Sequence, residues 1–129
     1  MIEKRLALIV DDSSTTRMIL RKILSALGFD TVEAANGSEA LEQMSRHDEI
    51  RLALVDWNMP VMNGFEFIVE ARKESRFDDV VMMMVTTESE IEKVAAALEA
   101  GANEYLMKPF TEAILGEKLT LLGMGSPTH

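Results

Sequence analysis

The 129-residue sequence contains no cysteine and only two histidines, His47 and His129. Without thiols there is no disulfide framework and no thiolate site for zinc or an iron–sulfur cluster. Two histidines do not make a histidine-rich metal centre either. Positive charge is the minority sign, with 13 Lys+Arg against 22 Asp+Glu and a formal net charge of −9. A sequence-independent grip on nucleic acid or on an anionic membrane needs clustered positive charge, so neither is expected as a partner. Long apolar runs are missing as well. No segment approaches the roughly 20 apolar residues that span a bilayer. The run Leu6–Val10 is too short for a signal h-region and ends in two aspartates. These absences leave the cytoplasm as the expected compartment.

What is present points to one domain. A chain of this length buries about two-thirds of the surface its unfolded form exposes, so it needs no staples. The hydrophobic content of 47% is ordinary for a globular protein. Residues 1–122 read as a single domain and 123–129, with Gly, Ser and Pro, as a flexible C-terminal tail.

Along the chain the apolar pattern switches repeatedly between two periods. Leu6–Val10 is a continuous apolar run, as expected of a strand buried on both faces. From Ser13 on, Met18/Ile19, Ile23/Leu24 and Leu27 recur at helical steps, with Ser13 or Ser14 as the cap and Gly28 past the end. The same alternation places strands at Thr31–Ala34, Leu52–Val55, Val80–Val85 and Glu104–Met107. Helices are expected at about Ser38–His47, Gly64–Glu74, Glu88–Ala100 and Thr111–Leu122. In the fourth helix, Ile91, Val94, Ala95 and Leu98 form the expected inner stripe and Gly101 the stop. Five strand–helix units argue for an α/β fold, a (βα)5 doubly wound parallel sheet with helices on both faces. The charged second and fifth strands suit the edges, which gives the order 2-1-3-4-5.

In such a sheet, ligands gather beyond the carboxyl ends of the strands, where the winding reverses. That end receives Asp11 and Asp12 after the first strand and Asp56 after the third. Thr86 and Thr87 follow the fourth, and Lys108 the fifth. Two carboxylates about 5 Å apart repel by about 3 kcal/mol at an effective dielectric near 20. Three together require cationic company. Lys108 supplies one positive charge, and a hard divalent ion such as Mg²⁺ or Mn²⁺ suits an all-oxygen site. A carboxylate beside such an ion, a lysine and a hydroxyl is also a competent phosphoryl acceptor.

The motifs Val10-Asp11-Asp12-Ser13, Asp56-Trp57-Asn58-Met59-Pro60 with Asn63-Gly64, Val85-Thr86-Thr87-Glu88, Ala100-Gly101-Ala102 and Lys108-Pro109-Phe110 occur in this order and spacing. Together they resemble the receiver domain of two-component response regulators, specifically the stand-alone chemotaxis CheY type with its flavodoxin-like sheet. That family is itself a known example of the order 2-1-3-4-5, so the order leans on precedent. The resemblance covers residues 5–122. It implies that Asp56 is the phosphoacceptor in a phosphorelay, fed by a CheA-like histidine kinase. Asp12, Asp56 and the Asn58 backbone carbonyl would then bind Mg²⁺ directly, and Asp11 largely through water.

Lys108 would pair with the phosphoryl group, Thr86 and Tyr105 would form the switch, and Lys108–Pro109 would be a cis peptide. Asn58 and Glu88 would tune the lifetime of the phosphorylated state. Thr87, where a smaller residue is common, would narrow access to the site. The output surface would be the fourth helix, fifth strand and last helix. It would meet a target protein such as the flagellar motor switch, with a phosphatase ending the signal. Such a domain is a phosphoacceptor switch rather than an enzyme, catalysing only its own phosphorylation and dephosphorylation. It is expected to act by binding another protein.

Three other readings fit less well. A haloacid-dehalogenase-like phosphatase wants Asp-x-Asp, whereas Asp11 and Asp12 are adjacent. Two acidic residues after the first strand would repel the phosphate of a flavin nucleotide. A scaffold that never sees phosphate would have no use for the complete acidic and lysine set.

Overall fold

In the computed structural model, residues 5–125 are described. Five strands form one parallel sheet: β1 (Arg5–Val10), β2 (Phe29–Ala34), β3 (Ile50–Asp56), β4 (Val81–Thr86) and β5 (Glu104–Met107). They are ordered β2-β1-β3-β4-β5, so the uncharged runs occupy the middle and the charged strands the edges. The helices are α1 (Ser14–Ala26), α2 (Gly37–Arg46), α3 (Gly64–Arg72), α4 (Val94–Ala100) and α5 (Glu112–Leu121). No described helix is long and apolar enough to cross a membrane.

Alternation along the middle strands divides the interior into two layers. Leu8, Val10, Ala53, Val55, Met82 and Met84 face α2, α3 and α4, where they meet Ala40, Met44, Phe67, Ile68 and Ala97. Ala7, Ile9, Leu52, Leu54, Met83 and Val85 face the other way, against Leu20 and Leu24 of α1 and Leu115 and Leu119 of α5. The methionine run of β4 is therefore core on both faces. Ser13 caps α1 by accepting the Thr16 N–H. The chain leaves α1 and α4 through Gly28 and Gly101, at φ 93° and 125°.

Two features differ from the expected pattern. Asp56 and Thr86 belong to their strands rather than follow them, because the parallel ladder continues through the pairs Asp56–Val85 and Thr86–Met107.

The fourth helical segment is divided: Glu88–Lys93 is a 3-10 turn and only Val94–Ala100 is α-helical. The inner face consequently carries Val94 and Ala97, while Ala95 is exposed and Leu98 is 42% exposed. A 3-10 turn advances 120° per residue against 100° in an α-helix. Over six residues the phase slips by about a third of a turn.

Arg5 Nη1 donates to the carbonyls of Met124 (3.0 Å) and Gly125 (2.8 Å), and Met124 packs on the α1/α5 layer. The rest of the expected tail, 126–129, lies outside the described residues.

Candidate functional site

At the carboxyl end of the sheet, β1 runs into Asp11 and Asp12. Asp11 is 2% exposed and turned inward, whereas Asp12 is exposed. The Asp11 backbone N–H donates to Ala34 O on β2, and its Oδ1 accepts the Ser13 N–H at 2.8 Å. Asp11 Oδ2 is buried with no hydrogen-bond partner. Asp56 closes β3 and is 8% exposed. One carboxylate oxygen from each of Asp11, Asp12 and Asp56 can be chosen so that all lie within 4.8 Å of one another. Lys108, just past β5, reaches into this cluster. Its Nζ donates to Asp56 Oδ1 at 3.2 Å and lies 3.9 Å from Asp11 Oδ2. Its backbone N–H donates to Thr86 O at 2.7 Å, and the Lys108–Pro109 bond is cis.

The electrostatics follow from this crowding. Burial pushes the Asp56 carboxyl up to about 6, Asp11 adds to the rise, and Lys108 opposes it. Burial also raises Asp11, against the Ser13 N–H and Lys108. An orphaned buried carboxylate oxygen beside two further carboxylates fits the donor set of a hard divalent cation, whose charge would relieve the repulsion and whose bound water would satisfy Asp11 Oδ2.

The loop after β3 shapes the rim. Trp57 is buried, its ring tilted on Phe65 at 6.0 Å between centroids, and its carbonyl accepts the Gly64 N–H. A Cβ on Gly64 would stand 2.3 Å from Asp56 O, so only glycine lets α3 start this close to β3. Asn63 and Glu66 close that start as a capping box. At the outer edge, Val61 is 84% exposed with φ 68°.

Thr86, at the end of β4, is fully buried. Thr87 turns its hydroxyl to Ser89 and Glu90 and caps the 3-10 turn. Asn58 donates through Nδ2 to Glu90 Oε2. The Glu88 side chain lies outside the described residues. Tyr105 is half-buried on β5, with Lys118 Nζ 4.4 Å from its ring centroid.

The site thus gathers Asp11, Asp12, Asp56 and Lys108, with Thr86, Thr87 and Asn58 on a second wall. Tyr105 is paired with Met84, one strand further out. Glu90, which joins Asn58 to Thr86 and Thr87, belongs to none of the motifs above. Its one signal in the sequence is the Thr-x-x-Glu spacing from Thr87 to Glu90, which marks a helix start.

Comparison with known proteins identifies the family. The chain is 46% identical over 121 residues to a Campylobacter jejuni protein named chemotaxis protein CheY homolog, covering 92% of this chain and 93% of that one. It is 44% identical over 116 residues to chemotaxis protein CheY1 of Helicobacter pylori, covering 89% and 94%. The solved structure of Vibrio cholerae CheY4 superposes with a TM-score of 0.85 at 34% identity, covering 92% of this chain and 98% of that one. Residues 7–120 match the family described as response regulator receiver domain, and the chain belongs to that family.

Proposed function

We propose that this receiver domain is a phosphoacceptor switch in a chemotaxis or motility pathway, with Asp56 as the residue phosphorylated. The observation that carries the reading is the meeting of Asp56 with Lys108 Nζ at 3.2 Å, beside the orphaned Asp11 Oδ2. An Asp56 carboxylate oxygen attacks the phosphorus of a phosphohistidine on a CheA-like kinase. The P–N bond breaks, the imidazole leaves and takes up a proton, and an acyl phosphate forms. Lys108 follows the charge as it moves onto the phosphoryl oxygens. Asp12, Asp56 and the Asn58 carbonyl would hold Mg²⁺ (or Mn²⁺), with Asp11 acting largely through water. The ion supplies positive charge against the phosphoryl oxygens.

Hydrolysis reverses the state: water attacks phosphorus, the P–O bond to Asp56 breaks, and inorganic phosphate leaves. Asn58 and Glu88 tune the speed of this step. The Thr86 hydroxyl donates to a phosphoryl oxygen, which draws in the start of the 3-10 turn, and Tyr105 moves with it. The equilibrium between two arrangements of the α4–β5–α5 surface shifts, and a target protein such as the flagellar motor switch reads the change. A phosphatase would end the signal. The names of the relatives support the chemotactic setting.

Trp57 is the single tryptophan and adjoins Asp56, so its fluorescence reports the site. Mg²⁺ with acetyl phosphate, or with beryllofluoride, changes the emission of the wild type and not of Asp56→Asn. Equal responses from the two proteins, or none from either, would overturn the reading.

A further inference from the structure

Glu90 is a carboxylate that the reading above does not use. It is 7% exposed, and four neutral donors hold it. Oε1 accepts the Thr87 N–H at 3.1 Å, the Thr87 hydroxyl at 3.1 Å and, at the limit of hydrogen bonding, the Thr86 hydroxyl at 3.5 Å, whose single proton is shared with the Thr87 carbonyl at 3.3 Å. Oε2 accepts from Asn58 Nδ2. The bonds to Thr87 make a capping box, and a cap alone would explain them. Asn58 and Thr86 have no part in a cap. They come from the ends of two different strands and flank the place where a phosphoryl group on Asp56 would stand.

We propose that Glu90 is a positioning residue that biases the switch toward its resting arrangement, an inference that rests on the phosphoacceptor reading. Two effects act in the same direction. The Thr86 hydroxyl proton lies between the Thr87 carbonyl at 3.3 Å and Glu90 Oε1 at 3.5 Å and must leave both to reach a phosphoryl oxygen, so Glu90 is one of two acceptors that the phosphorylated arrangement has to outcompete. A buried negative charge, reached through Asn58, also faces the incoming anion. Each effect stabilises the resting state relative to the phosphorylated one, and a ligand that prefers the latter must overcome the difference.

Removing the charge while keeping the shape separates this role from capping. Gln at position 90 still accepts from the Thr87 N–H but carries no charge, whereas Ala loses both. The probe is beryllofluoride with saturating Mg²⁺, titrated against Trp57 fluorescence in wild type, Glu90→Gln, Glu90→Ala and Asp56→Asn. Hydrogen exchange of the Thr87 amide, in protein free of metal and anion, reports the cap.

Glu90→Gln is expected to bind beryllofluoride about three- to tenfold more tightly than wild type, with Thr87 exchange unchanged. Glu90→Ala is expected to bind more tightly too, although its Thr87 amide exchanges faster. A Glu90→Gln constant equal to or weaker than that of a responsive wild type overturns the inference and leaves the phosphoacceptor reading standing. A wild type as silent as Asp56→Asn overturns both.

Discussion

Lys108 Nζ and Asp56 Oδ1 stand 3.2 Å apart although their strands are not neighbours: β4 lies between β3 and β5. The lysine spans that strand because its own backbone N–H is tied to Thr86 O at the end of β4. The contact therefore depends on three strand ends remaining in register. Lys108→Ala should slow phosphorylation by acetyl phosphate on the order of 10²-fold, as expected when a preorganised cationic group is lost. It should also raise the acid limit of the reaction, because Lys108 is what holds the Asp56 carboxyl down. Trp57 fluorescence across a pH series measures both.

The elevated Asp56 carboxyl sets a pH window for metal binding. Its value of about 6 lies above the ordinary 3.8, so the folded state holds the proton more tightly than the unfolded chain. In the metal-free protein that group's contribution favours folding at acid pH and is lost as pH rises from about 4 through 6. Mg²⁺ takes only the carboxylate. Its effect on the melting temperature should be full at pH 7.5 and fade below pH 6, with the apparent affinity falling about tenfold per pH unit well below that point. Asp56→Asn should remove the Mg²⁺ effect and raise the stability of metal-free protein at pH 7.5 by about 1–3 kcal/mol. Thermal melts with Mg²⁺ or EDTA test this, and an equally large Mg²⁺ effect at pH 5 would contradict it.

At Gly64 the acceptor strand and α3 leave no room for a methyl group, since a Cβ there would lie 2.3 Å from Asp56 O. Gly64→Ala must push α3 away or displace Asp56. Destabilisation of about 2–3 kcal/mol is expected in urea unfolding, together with weaker Mg²⁺ binding. A variant with unchanged metal affinity would show that α3 had moved and the acceptor had not.

Val61 sits at φ 68°, a conformation that a β-branched residue adopts only under constraint. Its side chain is 84% exposed, so packing does not compensate. Val61→Asn, with a residue that tolerates this region, should stabilise the protein by about 0.5–1.5 kcal/mol in the same urea assay. The site's chemistry involves no Val61 atom, so the Mg²⁺-dependent Trp57 response should persist.

The acidic cluster was legible in the sequence because it rests on short-range rules, and the sheet order because such rules agreed with the precedent of the family. Uncharged runs sort to the middle of a parallel sheet, and residues at strand ends share one edge. Tertiary hydrogen bonds were not legible in this way. Thr87 and Glu90 spell a helix start, but nothing local says that the carboxylate will also take Asn58, thirty-two residues earlier. Likewise Arg5 and Met124 lie 119 positions apart, so the hydrogen bond between them is invisible to the composition of 123–129, with its Gly, Ser and Pro. The stripe expected on the helix before β5 fails for a different reason. A stripe counted at 3.6 residues per turn assumes an α-helix from the first residue, and the 3-10 start changes the phase.

That phase makes the last prediction, because it decides which alanines face the core. Ala97 is fully buried in the core layer that α2, α3 and α4 share, whereas Ala95 and Ala96 point outward. Ala97→Asp would bury an unpaired charge and should destabilise the fold by about 3 kcal/mol or more. Ala95→Asp should change stability by no more than about 0.5 kcal/mol. An α-helix running unbroken from Glu88 would reverse the pattern, placing Ala95 inside with Leu98. Urea unfolding of the two variants therefore distinguishes the registers directly. Ala95→Asp also adds a charge to the α4–β5–α5 surface without disturbing the site, so it should leave the Trp57 response to beryllofluoride intact while weakening whatever protein reads that face.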